Sequence, residues 1–205
     1  MSRFRTEAAT LRVTREGAQP LADAPCPGAT LDILVSDNVA RYWILERPPG
    51  LASAAELDLY AADRFTAIFG DDPAAWSLRV DPAPRADRWL ACAIPAHIAE
   101  TLPESVVARG WRVRRIQSRY IEEFNRCCRS LDTNTAFCVA SRECTTIGLI
   151  AEGTWRGIRV HPPLNRTAAN FRALLQRDCR QAGIKADVLR PVVTGSLSER
   201  AQWQA

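Results

Sequence analysis

The sequence predicts an α/β protein with mixed sheets, folded as two lobes of unequal length. Strand-like runs alternate with amphipathic helical runs along the 205 residues. The order of elements restarts near residue 133, which points to an internal repeat. The hydrophobic fraction of 47% and the charged fraction of 24% are those of a globular chain long enough to bury a core in each lobe.

"TLRVT" (10–14) alternates and reads as a strand. "REGAQPLADAPCPGAT" (15–30) is loop, rich in Pro, Gly and small residues. "LDILVS" (31–36) and "RYWIL" (41–45) flank "DNVA" and predict a hairpin, after which "RPPG" breaks the chain. A helix follows over 53–70. Ser53 and Glu56 form a capping box, Leu57, Ala61, Phe65 and Ile68 share one face, and Gly70 ends it.

"WSLRV" (76–80) alternates as an exposed-face strand does, and "RADR" (85–88) turns the chain. "WLACAI" (89–94) is apolar throughout, as a central strand covered on both faces would be. A helix over about 96–109 is interrupted by Pro103 and closed by Gly110. "WRVRRI" (111–116) is a strand. The helix over 118–131 sets Ile121, Phe124, Cys128 and Leu131 on one side.

The pattern then begins again with a strand at 135–141. The runs 145–151 and 154–160 make a hairpin around Glu152-Gly153, which needs glycine's freedom at positive φ. A helix over 166–183 ends at Gly183, and "ADVLRP" (186–191) is a strand whose open edge would need a cover. Residues 1–132 thus form a first lobe, 133–191 a shortened second lobe, and 192–205 a polar tail. Three strands followed by alternating helices and strands is the ribonuclease H-like order. Two such repeats in one chain make a reduced actin-like, two-lobed plan.

Composition excludes several classes. Lys185 is the sole lysine, so no GxxxxGK[ST] phosphate loop exists. No run approaches the roughly 18 consecutive apolar residues of a spanning helix, and the first 17 residues hold no apolar signal core. Seven scattered cysteines, with no CxxC, read as reduced structural thiols. His97 and His161 have no ligand at metal spacing, and no GxSxG is present. A nuclease would need convergent carboxylates, for which Asp32, Glu56 and Asp187 are the candidates. Nucleic-acid binding would draw on the arginines and aromatics of 111–119 and 154–166. On alternating strands, though, such arginines form the solvated face opposite a Trp, Val and Ile core.

The stretches "LVSDNVARYWIL" (34–45), "FTAIFGDDPAAWSLRVDPAPRADRWLACAIPAHIAETL" (65–102) and "TTIGLIAEGTWRGIRV" (145–160) are together similar to one family. They resemble the actin-like cytoplasmic proteins of type IV pilus and type II secretion assembly: the PilM family and the cytoplasmic part of the secretion L subunit. The resemblance implies a cytoplasmic scaffold at the inner face of the inner membrane. Such a scaffold binds a short segment of a bitopic membrane partner, without inserting into the membrane itself.

The resemblance also frames the phosphate turn. In actin-like ATPases an Asp ends the first strand of each lobe, then a Gly, then a Ser or Thr. Here the second lobe has Val139-Ala140-Ser141-Arg142-Glu143-Cys144-Thr145-Thr146, with the Thr pair but without the Asp or Gly. The first lobe has Arg15-Glu16-Gly17 instead, and no Gly-rich adenosine loop appears near the end of the chain. The expectation is therefore a non-catalytic adaptor with no cofactor. The alternative is ATP with Mg²⁺ held by Ser141, Arg142, Thr145 and Thr146. Arg41, Trp43, Trp155, Arg156 and Arg159 are the candidate partner contacts, at a sheet edge or in the interlobe groove, and a homodimer through the edge at 186–191 is a further expectation.

Overall fold

Residues 9–19, 28–51, 53–82, 86–163 and 167–195 are described by a computed structural model. The residues 20–27 of the first loop, Arg85 of the "RADR" turn and the tail from 196 lie outside them. The elements begin with β1 (Ala9–Thr14), β2 (Gly17–Ala18), β3 (Thr30–Val35), β4 (Arg41–Glu46) and α1 (Ala54–Phe69). Next come β5 (Trp76–Asp81), β6 (Arg88–Pro95), α2 (Ala96–Ala99), α3 (Thr101–Ala108), β7 (Arg112–Ser118) and α4 (Arg119–Cys127). The rest are β8 (Thr135–Ala140), β9 (Thr145–Ala151), β10 (Thr154–His161), α5 (Ala168–Gln181) and β11 (Arg190–Gly195).

Two four-stranded sheets, β2-β1-β3-β7 and β10-β9-β8-β11, carry the duplication. In each, the first strand has its antiparallel hairpin partner on one side and a later, parallel strand on the other. β1 lies between β2 and β3, and β8 between β9 and β11. Between β3 and β7 the first repeat carries an insertion, a separate antiparallel sheet β4-β6-β5 with α1 against it. β6 is its central strand, as its unbroken apolar run predicts.

One expected pairing is absent. β3 and β4 do not form a hairpin, because the chain leaves one sheet at Asp37–Ala40 and enters another. The expected strand at 186–191 also differs. Ala186–Val188 is a 3-10 turn that lets Leu189 into the second-lobe core, and the strand is Arg190–Gly195. Residues 192–195, read from the sequence as the start of the tail, complete that strand in parallel with β8.

Local chemistry explains several boundaries. Ser53 Oγ accepts from Glu56 N at 3.2 Å to start α1. Gly70 at φ 71° ends it, its N–H donating to Thr66 O. Ile68, placed on the core face by periodicity, is 47% exposed, and Phe69 packs inward in its place. Pro103 has no N–H for the Ala99 carbonyl, so the helix over 96–109 breaks into α2 and α3 around Glu100.

On β7 the register passes from Leu31↔Val113 to Asp32↔Arg115, leaving Arg114 as an extra residue. Both guanidinium groups thereby reach one carboxylate. Arg114 Nε donates to Asp32 Oδ1 at 2.7 Å and Arg115 Nε to Oδ2 at 2.9 Å. The Arg114 hydrogen bond is the main reason the Asp32 carboxyl lies below its usual range.

Four clusters make the core. Leu31, Ile33 and Val35 pack with Ile98 and Val106 in the first lobe, and Ile147, Leu149, Phe171 and Leu174 pack in the second. Phe65, fully buried, meets Trp43 edge-on at 5.5 Å in the insertion. Burying a side chain of that kind stabilises by about 1.5–3 kcal/mol. The fourth cluster joins the units. Tyr42 and Leu90 from the insertion pack on Tyr120, Phe137 and Val139.

Candidate functional site

The turn after β8 is closed on itself. Ser141 Oγ accepts from Glu143 N at 3.2 Å and Cys144 N at 3.0 Å, and it lies 3.0 Å from Cys144 O, to which it donates. Two backbone donors of this turn, those of Glu143 and Cys144, are therefore already engaged with a side chain. Thr145 and Thr146 are buried in β9, and Arg142 is exposed. Glu143 lines a cavity of about 310 Å³ beside this turn, together with Asp37, Arg15 and Arg41. Carboxylates and arginines thus line this cavity together.

Asp37 is a hub between the repeats. It accepts from Tyr42 Oη at 2.5 Å, Tyr120 N at 2.8 Å and Thr146 Oγ1 at 3.0 Å. The three donors come from the insertion, the start of α4 and the second lobe. Burial pushes the Asp37 carboxyl up from its ordinary value, against the pull of these hydrogen bonds. It also pushes the Cys92 thiol up to about 12 and the Cys144 thiol up to about 11, so neither is a ready nucleophile.

A groove of about 770 Å³ lies between the insertion and the second lobe. β4 and the end of α1 form one wall, and β10 and the end of α5 form the other. Arg41 projects from β4 over Trp76 and Phe69, its guanidinium carbon 5.2 and 5.8 Å from the ring centres. Opposite stand Arg156, Arg159 and Arg177.

At the groove's floor His161 and Asp178 are both buried, with His161 Nε2 2.6 Å from Asp178 Oδ2. Arg177 Nη2 lies 3.2 Å from His161 Nδ1. A guanidinium only donates, so Nδ1 accepts and the ring proton sits on Nε2, facing the carboxylate. Among the described residues that line this groove there is no serine, threonine or cysteine, and the one hydroxyl, that of Tyr42, is donated to Asp37.

The structure thus brings Arg41, Trp43, Arg156 and Arg159 to one groove. Trp155 goes elsewhere. A bulge between Trp155 and Gly157 makes Arg156 the extra residue, so Trp155 shares a face with Ile158 and Val160 and packs 5.0 Å from Phe124. Sequence reasoning missed Arg177 and Asp178. Their only signal is the polar run "QRDCRQ" (176–181), which reads as any solvated helix face. His97 is apart from His161, lining a cavity with Trp76 and Ile98. Among the described residues, no three His, Cys, Asp or Glu side chains form a metal-sized group, so Asp32, Glu56 and Asp187 do not converge.

Three solved structures share this architecture. One is the cytoplasmic domain of EpsL, an inner-membrane component of the type II secretion system of Vibrio cholerae. It is 11% identical with a TM-score of 0.59, covering 92% of this chain and 82% of that one. A second is a Bacteroides thetaiotaomicron protein with an actin-like ATPase fold and unknown function, 11% identical with a TM-score of 0.52, covering 99% of this chain and 88% of that one. The third is the PilM-PilN type IV pilus biogenesis complex, 10% identical with a TM-score of 0.53, covering 89% of this chain and 67% of that one. At such identities the likeness establishes the fold, and the chain is a reduced actin-like α/β protein. No family model matches the sequence, and no curated relative does. Among the described residues no helix is long and apolar enough to cross a membrane.

Proposed function

We propose that this chain is a non-catalytic, actin-like adaptor of a type IV pilus or type II secretion assembly. It works in the cytoplasm at the inner face of the inner membrane and holds a segment of a membrane-anchored partner in its interlobe groove. The observation that carries this reading is the groove itself, walled by both halves of the fold. The phosphate turn beside it spends its donors internally. Fold likeness to an inner-membrane secretion component's cytoplasmic domain and to a pilus biogenesis complex supports the choice of machine.

The reading treats the actin-like fold as a two-walled holder. Tyr42, Tyr120 and Thr146 tie the insertion and both repeats to Asp37, so the walls keep a fixed spacing without a nucleotide between them. The test is co-purification of the full chain with the bitopic inner-membrane proteins of its host's type IV pilus or type II secretion assembly, followed by calorimetry with their cytoplasmic segments. Binding of one segment, lost when groove residues are changed, is expected. Retention of none of them would overturn the adaptor reading.

A further inference from the structure

Four arginines from three elements, Arg41, Arg156, Arg159 and Arg177, face the groove, with only Asp71 and Asp178 as carboxylates among its lining residues. Their ion pairs with the groove's own carboxylates are long, although Arg177 Nη2 also lies 3.2 Å from His161 Nδ1. Arg41 Nε is 3.9 Å from Asp71, Arg159 Nε 4.0 Å from Asp178, and Arg177 Nε 3.8 Å from Asp178. The partly exposed Arg41–Asp71 pair at such a distance is worth about 0–1 kcal/mol, while Arg159 and Arg177 flank the buried Asp178 carboxylate with their own side chains about half exposed. Arg156 does bind Glu152 at 2.9 Å, but its buried Nε has no hydrogen-bond partner among the described residues.

We infer that the groove takes an acidic peptide segment of a protein partner, bound extended between these arginines. The inference rests on the adaptor reading and specifies the chemistry of the segment that the adaptor holds.

The walls specify an extended chain. Among the described residues β10 is the edge strand of the second-lobe sheet and β4 that of the insertion, and the two edges lie close to one another along the groove. Unpaired strand edges offer N–H and C=O groups to an incoming strand. Along an extended segment, side chains alternate between two faces. Alternate positions would meet the apolar lining of Ile44, Phe69 and Ile158, and the positions between would meet the arginines.

Arginine forks match carboxylates in bidentate geometry. Arg41 is already oriented by the rings beneath it, which reduces the ordering that binding requires. A single-stranded nucleic acid fits less well. It needs exposed aromatic platforms for its bases, whereas Trp43 is 4% exposed and packed edge-on against Phe65 and Phe69.

The test selects from a displayed library of random octapeptides on the full chain, beside the double variant Arg41→Gln/Arg159→Gln. Arg159 is 51% exposed and Arg41 36%, and glutamine keeps part of each aliphatic stem, so the variant is expected to stay folded, which a thermal melt checks. Enriched peptides should carry net negative charge with apolar residues at alternate positions. They should bind the variant at least tenfold more weakly, and their affinity for the wild-type chain should fall as salt rises. Enrichment of neutral or basic peptides, no enrichment over the unselected library, or acidic peptides that bind the variant equally well would each overturn the inference. Capture of oligo-dT by the wild-type chain and not by the variant would assign the groove to nucleic acid instead.

The two ideas fail separately. A genuine membrane-partner segment that binds independently of Arg41 and Arg159 removes the acidic-peptide inference and leaves the adaptor standing. Acidic octapeptides that bind while no assembly protein does leave the groove chemistry standing and remove the adaptor.

Discussion

Thr146 Oγ1 donates a 3.0 Å hydrogen bond to Asp37 Oδ2 across 109 positions of sequence, joining the second repeat to the turn where the first repeat admits its insertion. Both groups are buried. The bond is thus made in a low-dielectric setting to a carboxylate that also serves Tyr42 and Tyr120. Thr146→Val keeps the side chain's volume and removes the donor. A hydrogen bond to a charged group is worth about 1.5–3 kcal/mol, so chemical denaturation should show a loss of that order. Tyr42→Phe should couple to it non-additively in a double-mutant cycle, because both donors share one carboxylate. Additive losses would mean that the hub is not one cooperative unit.

The same carboxylate predicts an unusual pH dependence. The folded pKa of Asp37 is raised by burial. The folded state therefore holds this proton more tightly than the unfolded chain, whose Asp titrates near about 3.9. Its contribution to stability is complete below the unfolded value and is lost as pH rises through the folded one. In Asp37→Asn this term is gone. The stability of the wild type relative to Asp37→Asn should therefore grow as pH is lowered from 7 towards 4. Urea melts at four or five pH values give the slope, and a flat or opposite trend would mean that Asp37 is not the raised group.

Much of this fold is local enough to be legible in the sequence. Ser53 and Gly70 delimit α1 by their own hydrogen bond and backbone angle. Glu152 and Gly153 make the β9–β10 turn because both adopt positive φ, at 55° and 70°. What was not legible depends on distant partners. Asp37–Ala40 looks like any hairpin turn until Tyr120 and Thr146 draw the Asp37 carboxylate inward and β4 joins β6. The groove was half legible. Arg41 and Arg159 could be picked as arginines on strands, but the bulge that turns Trp155 into the core, and the arrival of Arg177 and Asp178 from α5, are set by tertiary packing.

Gly148 in β9 has ordinary backbone angles, and its role is space. A Cβ there would lie 1.9 Å from Tyr120 Oη and 2.8 Å from a ring carbon of Trp155. Tyr120 is fully buried and held by Phe124 and Phe137, so it has nowhere to move. Gly148→Ala should cost about 1–3 kcal/mol or more, as overpacked cores do. Among the described residues the Tyr120 hydroxyl has no hydrogen-bond partner. Tyr120→Phe alone should then be nearly neutral, and combined with Gly148→Ala it should restore part of the loss. Thermal melts of the three variants check this, and an unaffected Gly148→Ala would contradict the close approach.

The closed turn at Ser141 predicts the response to nucleotide. Ligand at about 100 times its dissociation constant stabilises by roughly 2.7 kcal/mol. For a chain of this size that is about 5–10 °C in Tm. With the N–H groups of Glu143 and Cys144 already bonded to Ser141 Oγ, millimolar Mg-ATP should leave the Tm unchanged. Ser141→Ala separates the two uses of the hydroxyl. It should lower the Tm by a few degrees, because two backbone donors lose their acceptor, and it should leave the response to Mg-ATP at zero. A shift of several degrees in the wild type that disappears in Ser141→Ala would instead make Ser141, Arg142, Thr145 and Thr146 a working phosphate site. Nucleotide-gated assembly would then replace the passive holder as the mechanism.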